Sequence, residues 1–411
     1  MTRSAKSIAS WRPADLAYCS NVHPGTDLND LAVHLRGPIR GVRERRGLDR
    51  MAAGLWLAAP VAGSLDPATG GVPQYLTDLL AETGIRLQTL NGFPYGDFHQ
   101  DEVKHAVYRP AWDEPMRLDY TLALARVLTH CLAADTVEGT ISTLPLGFAP
   151  EWSAKRHVRA LDQLCQLAIA LAELAQLSGR SIRVCLEPEP DCAIETTSQA
   201  IQLFADDLPH AARRNGVPQR LINEHLGLCL DICHQSVQFE EPGDALRSLT
   251  AAGVPVGKIQ VSSALEVPDP ARAGLDQVLE PFAEPRYLHQ VRCRYPDGRI
   301  VGRRDLPAAL ADADLRHGES WRIHFHVPIQ RPGAPIGGLG TTASAILGLL
   351  DTLAMDNSPR PHLEVETYTW LVLPLGGRPT DEQTLVGGLA SELCWLERQM
   401  GNRGLLHRGL G

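Results

Sequence analysis

The sequence predicts an α/β chain folded as a (β/α)8 barrel, and three observations lead there. Apolar runs of four or five residues alternate with amphipathic helical stretches, as strands covered on both faces require. Eight such runs occur, which favours a closed parallel barrel over an open doubly wound sheet. Neither a G-x-G-x-x-G following a first strand nor a G-x-x-x-x-G-K-S/T is present, so nucleotide-binding open folds lose support.

The predicted strands are Leu16–Val22, Gly54–Ala58, Arg86–Leu90, Val137–Ser142, Ile182–Glu187, Gly227–Asp231, Lys258–Val261 and His362–Glu366. Helices are predicted at Pro73–Thr83, Asp119–Ala133, Val158–Leu177, Ser198–Leu208, Asp244–Ala252 and Asp381–Met400. In the third of these, Leu161, Leu164, Leu167, Leu171 and Leu174 mark one face at three- and four-residue steps, and Gly179 follows as a C-terminal cap. Residues 1–400 read as one barrel domain with inserted loops at 91–112 and 264–327, and 401–411 as a tail. The first insertion is long and aromatic, which marks a functional loop. The second, between strands seven and eight, holds Tyr-Pro-Asp-Gly between two short runs and predicts a β-hairpin.

Composition narrows the function classes. The 411-residue chain is 44% hydrophobic and 21% charged, enough for a large core. A formal net charge of −9 argues against nucleic acid as a partner. The one dense basic cluster, Arg40–Arg46, reads as a solvated helix start. Nine cysteines without a C-x-x-C pair favour a reducing, cytoplasmic setting. No apolar signal core is visible at the N-terminus, and no apolar run approaches the length that spans a bilayer, so direct membrane insertion is not expected.

Four consecutive strands end in oxygen or nitrogen donors, a pattern expected of a metal site at a barrel mouth. Glu187 closes the fifth strand before Pro188, where an ionised carboxylate is costly unless paired or bound to a cation. Glu189 lies two residues into the loop and is the weaker candidate. Asp231 and His234 form a D-x-x-H pair able to address one centre. Gln260 offers an amide oxygen acceptable to Mg²⁺ or Mn²⁺, with Ser262 and Ser263 placed to hold a substrate hydroxyl. Glu364 and Glu366 share a face of the eighth strand; the latter lies nearer the mouth and is the expected ligand, the former deeper and either paired or bridging. The expected metal ligands are thus Glu187, Asp231, Gln260 and Glu366, with Glu187 and Glu366 also catalytic. Substrate contacts are expected from His234, His23, Asn91, His289, His324 and His326. His324 and His326 share a face, and a second metal site is the alternative for them. His99, Lys104 and Arg109 offer a cationic patch in the aromatic loop. The expected cofactor is a divalent ion, Mn or Mg before Zn or Fe. It would polarise a carbonyl and acidify a neighbouring C–H, while one glutamate removes the proton and another returns it.

These residues resemble the xylose isomerase-like TIM-barrel superfamily of sugar isomerases, ketose 3-epimerases and endonuclease IV. Leu-Glu-Pro at Glu187, Leu-Asp-Ile-Cys-His at Leu230–His234 and Val-Glu-Thr-Tyr at Glu366 resemble its metal-binding strand ends, whereas Gln260 stands where that superfamily usually has histidine. Tyr-Cys-Ser-Asn-Val-His-Pro-Gly, Leu-Asn-Gly-Phe-Pro-Tyr-Gly, Tyr-Leu-His-Gln-Val-Arg, His-Phe-His-Val-Pro-Ile and Leu-Glu-Val-Glu-Thr-Tyr-Thr-Trp resemble the EboE family of metabolite traffic proteins. That resemblance implies a role in a gene cluster that makes or moves a secondary metabolite, with other proteins of that cluster as partners, and no settled reaction; the residues themselves lead us to expect an isomerase or epimerase acting on a sugar- or cyclitol-like precursor. A carrier on the same barrel is the first alternative, and a metal phosphodiesterase resembling endonuclease IV the second.

Overall fold

A computed structural model describes residues 11–133, 135–136, 138–330, 337–355 and 360–407. Val137, which begins the fourth predicted strand, the first ten residues and the last four of the predicted tail lie outside these.

Eight parallel strands form the barrel: β1 Ala17–Tyr18, β2 Met51–Trp56, β3 Ile85–Asn91, β4 Glu138–Thr143, β5 Ser181–Leu186, β6 Leu226–Asp231, β7 Val256–Val261 and the last strand, β13 His362–Val365. Their order is β1-β13-β7-β6-β5-β4-β3-β2, and a parallel bridge between Cys19 and Gly54 joins the two ends. All eight predicted strands are present, with the first cut short. Its apolar run turns at Ser20–Val22, where the Ser20 hydroxyl accepts a hydrogen bond from the Trp56 N–H at 2.8 Å.

Helices lie between the strands. The longest, Ala154–Ser178, starts where the Ser153 side chain accepts from the Arg156 N–H and stops at Gly179, whose φ of 71° is one that L side chains rarely adopt. Its buried face includes Leu161, Leu164, Leu167 and Leu171. The basic cluster lies on the helix Arg40–Arg45 and its C-cap, where Arg46 pairs with Glu397 at 3.0 Å on the C-terminal helix Glu382–Asn402. The predicted tail begins inside that helix, and beyond it Leu405 is buried and Leu406 bridges to Trp11.

The insertion after β7 is a five-stranded antiparallel sheet, ordered β10-β9-β11-β8-β12. Its strands are β8 Ala264–Val267, β9 Val291–Arg294, β10 Ile300–Arg303, β11 Ser320–His326 and β12 Gly340–Thr341. β9 and β10 pair across the Tyr-Pro-Asp-Gly turn. The register of β11 against β8 slips between Ile323 and His326, an irregularity of the kind that re-aims side chains. No helix among the described residues is long and apolar enough to cross a membrane.

Candidate metal centre

The strand ends bring three carboxylates together. Oxygens of Glu187, Asp231 and Glu366 all lie within 4.8 Å of one another, and all three side chains are buried. Backbone pairing fixes two of them: the Glu187 N–H donates to Thr143 O at 2.9 Å, and the Glu366 N–H to Val261 O at 3.2 Å. Asp231 owes its position to a helix start. It is the N-cap of the short helix Ile232–Val237, with Oδ1 accepting the His234 N–H at 2.8 Å. That cap is the physical content of the D-x-x-H spacing, because it sets His234 in the first turn beside its capping residue. Ser262 also donates to Asp231 Oδ1, at 2.9 Å, so it orients the carboxylate instead of meeting a substrate hydroxyl.

Each carboxylate is held by one oxygen or by the backbone, with another oxygen left over. Asp231 Oδ2 and Glu187 Oε2 are buried with no hydrogen-bond partner among the described residues. Glu366 Oε1 accepts from the amides of Asn21 at 2.8 Å and Asn91 at 2.9 Å. Asn91 therefore positions Glu366, and Asn21 is a site residue that the sequence reading missed. Gln260 is fully buried, with no hydrogen-bond partner for either amide atom among the described residues. Burial pushes the Glu187 carboxyl well above its usual range, and Glu366 and Asp231 push it further. Burial does the same to Glu366, followed by Asp231 and Glu364. Unpartnered buried carboxylate oxygens facing one another are the condition that a divalent cation relieves, so this donor set fits one.

Below this layer the charges cancel. Lys258 Nζ lies 2.7 Å from Glu364 Oε2, and both side chains are fully buried. Burial favours neutral Lys258, but Glu364, together with Cys229 and Cys19, outweighs it and holds the ammonium above its ordinary value. Gly54 makes room for this pair, since a Cβ there would lie 1.2 Å from Glu364 Oε1. The deeper, paired Glu364 matches the sequence expectation.

The inserted sheet closes the centre from above. His234, His324 and His326 each direct Nδ1 at a carbonyl oxygen: Pro188 O at 2.9 Å, Gln290 Oε1 at 2.7 Å and Glu366 O at 2.7 Å. A carbonyl only accepts, so each Nδ1 carries the hydrogen and each Nε2 presents a lone pair. The orientation of Gln290 is fixed in turn, because its amide nitrogen donates to Pro190 O at 3.0 Å. His326 Nε2 is buried without a hydrogen-bond partner among the described residues, and burial lowers its pKa to about 4. Donor atoms of Asp231, His234 and His326 also fall within 4.8 Å of one another.

Glu189, ranked low from sequence, is buried at the pocket wall. Tyr108 donates to its Oε1 at 2.5 Å and Gln290 at 3.3 Å. Neither Tyr108 nor Gln290 was expected. Their only signals were an aromatic in the long loop and a polar residue after His289 on the insertion.

Two expected substrate contacts lie elsewhere. His289 has both ring nitrogens engaged, with His324 O at 3.0 Å and Glu284 Oε1 at 2.8 Å, and packs at a tilt against Phe325 behind the site. His23 bonds to Tyr18 Oη at 3.0 Å and stacks on His34, lining a separate small cavity. The cationic patch is also spent. Lys104 binds Asp305 at 2.7 Å, Arg109 pairs with Glu114 and Glu151, and His99 bonds to Asn21 O at 2.8 Å.

The centre opens into a pocket of about 530 Å³. Glu187, Glu189, His234, His324 and Glu366 line its polar side, and Phe93, Phe98, Val107, Tyr287, Leu288 and Tyr368 its apolar side. Phe93 and Phe98 come from the long loop after β3, and Tyr287 and Leu288 from the insertion.

No protein-family model matches the chain, and no curated protein matches it either. Similar solved structures include a D-tagatose 3-epimerase-like protein at 12% identity and TM-score 0.46, covering 95% of this chain and 99% of that one. An IolI protein with a bound zinc atom is 12% identical at TM-score 0.45, covering 94% and 97%. The probable 3-DHS dehydratase AsbF of Bacillus anthracis, involved in petrobactin synthesis, is 14% identical at TM-score 0.35, covering 60% and 72%.

Proposed function

We propose that this chain is a divalent-metal-dependent isomerase or epimerase of a polyhydroxylated, sugar- or cyclitol-like small molecule. The observation that supports the reading is the convergence of Glu187, Asp231 and Glu366 at the barrel mouth, with unpartnered carboxylate oxygens on the first two. These three would hold the ion, with His326 Nε2 and the Gln260 amide as further candidate donors. Mn²⁺ suits a set of oxygens that includes an imidazole and an amide. Such an ion, when bound, polarises a carbonyl and acidifies the adjacent C–H.

The chain's own groups supply the rest. Glu187 and Glu366 face the pocket with carboxyls that burial has made more basic, as a proton carrier working near neutral pH requires. Asn21 and Asn91 keep Glu366 from turning away by holding Oε1. The aromatic wall excludes water from a carbanion-like species. A place in a secondary-metabolite pathway, beside partner proteins, is the finer reading that the EboE resemblance implies.

The apolar half of the pocket favours one rival, a carrier that binds its ligand without chemistry. Incubation with candidate sugars in deuterated water separates the two. The enzyme reading expects metal-dependent deuterium incorporation at one carbon, abolished in Glu187→Gln. Ligand binding with no exchange in any metal-loaded form supports the carrier.

A further inference from the structure

The three carboxylates, with His326 beside them, account for one ion, which leaves His234 and His324 without a part in it. We propose that His234 and His324, with Glu189, hold a second divalent cation of the nitrogen-preferring class, Zn²⁺ foremost. The inference rests on the reading above only in assigning Glu187, Asp231 and Glu366 to the first ion.

His234 Nε2 and His324 Nε2 face each other at 3.1 Å, in buried rings whose planes are 81° apart. Both Nδ1 atoms are committed as donors to carbonyl oxygens, so two lone pairs point at one another. That arrangement is repulsive unless something positive lies between them. Bonds of about 2.0–2.1 Å at a tetrahedral angle set two nitrogens about 3.3 Å apart, close to what is seen. Donor atoms of Glu189, His234 and His324 lie within 4.8 Å of one another. Glu189 Oε1 takes both hydrogen bonds and lies 3.6 Å from His324 Nδ1, so Glu189 would reach the ion through Oε2, which takes neither bond.

Two further points favour an ion over a shared proton. The carbonyl contacts are the outer partners that orient metal-binding imidazoles. Charge balance agrees: Glu187, Asp231, Glu366 and Glu189 carry four negative charges when ionised, while Lys258 is taken up by Glu364. Two divalent ions neutralise that set. The Asp231 oxygen nearest His234, Oδ1, already accepts from Ser262 and the His234 N–H, which favours two adjacent ions over one ion bridged by this carboxylate.

The test strips the full chain with a chelator, titrates it with Zn²⁺ alone, and counts bound metal per chain by mass spectrometry after desalting. Wild type is expected to retain two ions, His324→Leu one, and Glu366→Gln one. No metal retained by wild type, or a His324→Leu variant that keeps as many ions as wild type, overturns the proposal, the first outcome needing no variant to fold. X-ray absorption of zinc-loaded Glu366→Gln should show at least two imidazole nitrogens at about 2.0–2.1 Å. An all-oxygen shell there, or rings that share a proton and leave zinc unbound, also overturns it. The two readings fail separately. Loss of all metal in Glu366→Gln with none lost in His324→Leu sinks the second ion and keeps the first, and the reverse pattern sinks the first and keeps the second.

Discussion

The barrel interior and the barrel mouth hold similar charged side chains and treat them in opposite ways. In the interior Lys258 and Glu364 neutralise one another, with Ser142 Oγ 3.2 Å from the ammonium. At the mouth Glu187, Asp231 and Glu366 repel one another, and two of them leave oxygens unpartnered. Both regions are fully desolvated, so burial does not distinguish them. The difference lies in whether the chain supplies its own counter-charge. A buried pair complete within the chain is scaffold, whereas a buried charge with no internal partner is an invitation to a ligand.

The comparison makes opposite predictions for two glutamates. Glu364→Gln leaves an uncompensated ammonium in the core and should cost about 3–5 kcal/mol in denaturant unfolding. Glu187→Gln removes a repelled charge and should leave the metal-free chain at least as stable as wild type. Equal destabilisation by the two would break the contrast. In an exchange assay Glu187→Gln should lose about 10²–10⁴-fold in rate, the range for a lost proton carrier.

The pH dependence sharpens it. The folded Glu187 carboxyl sits well above its ordinary 4.5, so its protonated form is the one that folding favours. Wild type without metal should therefore match Glu187→Gln below pH 4.5, then fall behind as pH rises through the elevated folded value. Thermal melts across this range check the sign, and saturating Mn²⁺ should reverse the ranking above it. His326 acts in the other direction in both proteins. Its folded pKa is lowered to about 4, so its stability contribution is present above 6.5 and lost as pH falls towards 4. The difference between wild type and variant cancels that background.

Smaller effects are expected around the histidines and the amides. Gln290→Leu removes the carbonyl that fixes the His324 tautomer and should weaken the second zinc about 10–100-fold in a competition titration, leaving the first unchanged. Asn21→Ala removes one of two amides on Glu366 and should lower exchange by about tenfold or less, because Asn91 remains.

The barrel was legible because its strands are short, apolar on both faces and closed by Pro, Gly or acidic residues. Glu187, Asp231 and Glu366 were legible for a related reason: an ionised group ending an apolar run has few uses other than a pair or an ion. The insertion resisted the same reading. β8 pairs with β11 more than fifty residues later, and nothing in Ala264–Val267 alone names that partner. Alternation put His324 and His326 on one face, but only the docked sheet decides that this face meets His234. His289 follows the same polar pattern and ends up behind the site, because Glu284 and the His324 carbonyl take both its nitrogens. Glu189 was undervalued since loop position says nothing about burial, which here comes from Tyr108 and Gln290 in two separate segments.

The glycine at the barrel seam has a longer reach than its size suggests. With Glu364 Oε1 occupying the space where a Cβ at position 54 would stand, even a methyl there forces the carboxylate that pairs with Lys258 to shift. A residue change at position 54 is thereby felt by Glu364 two strands away and, through it, by Lys258 three strands away.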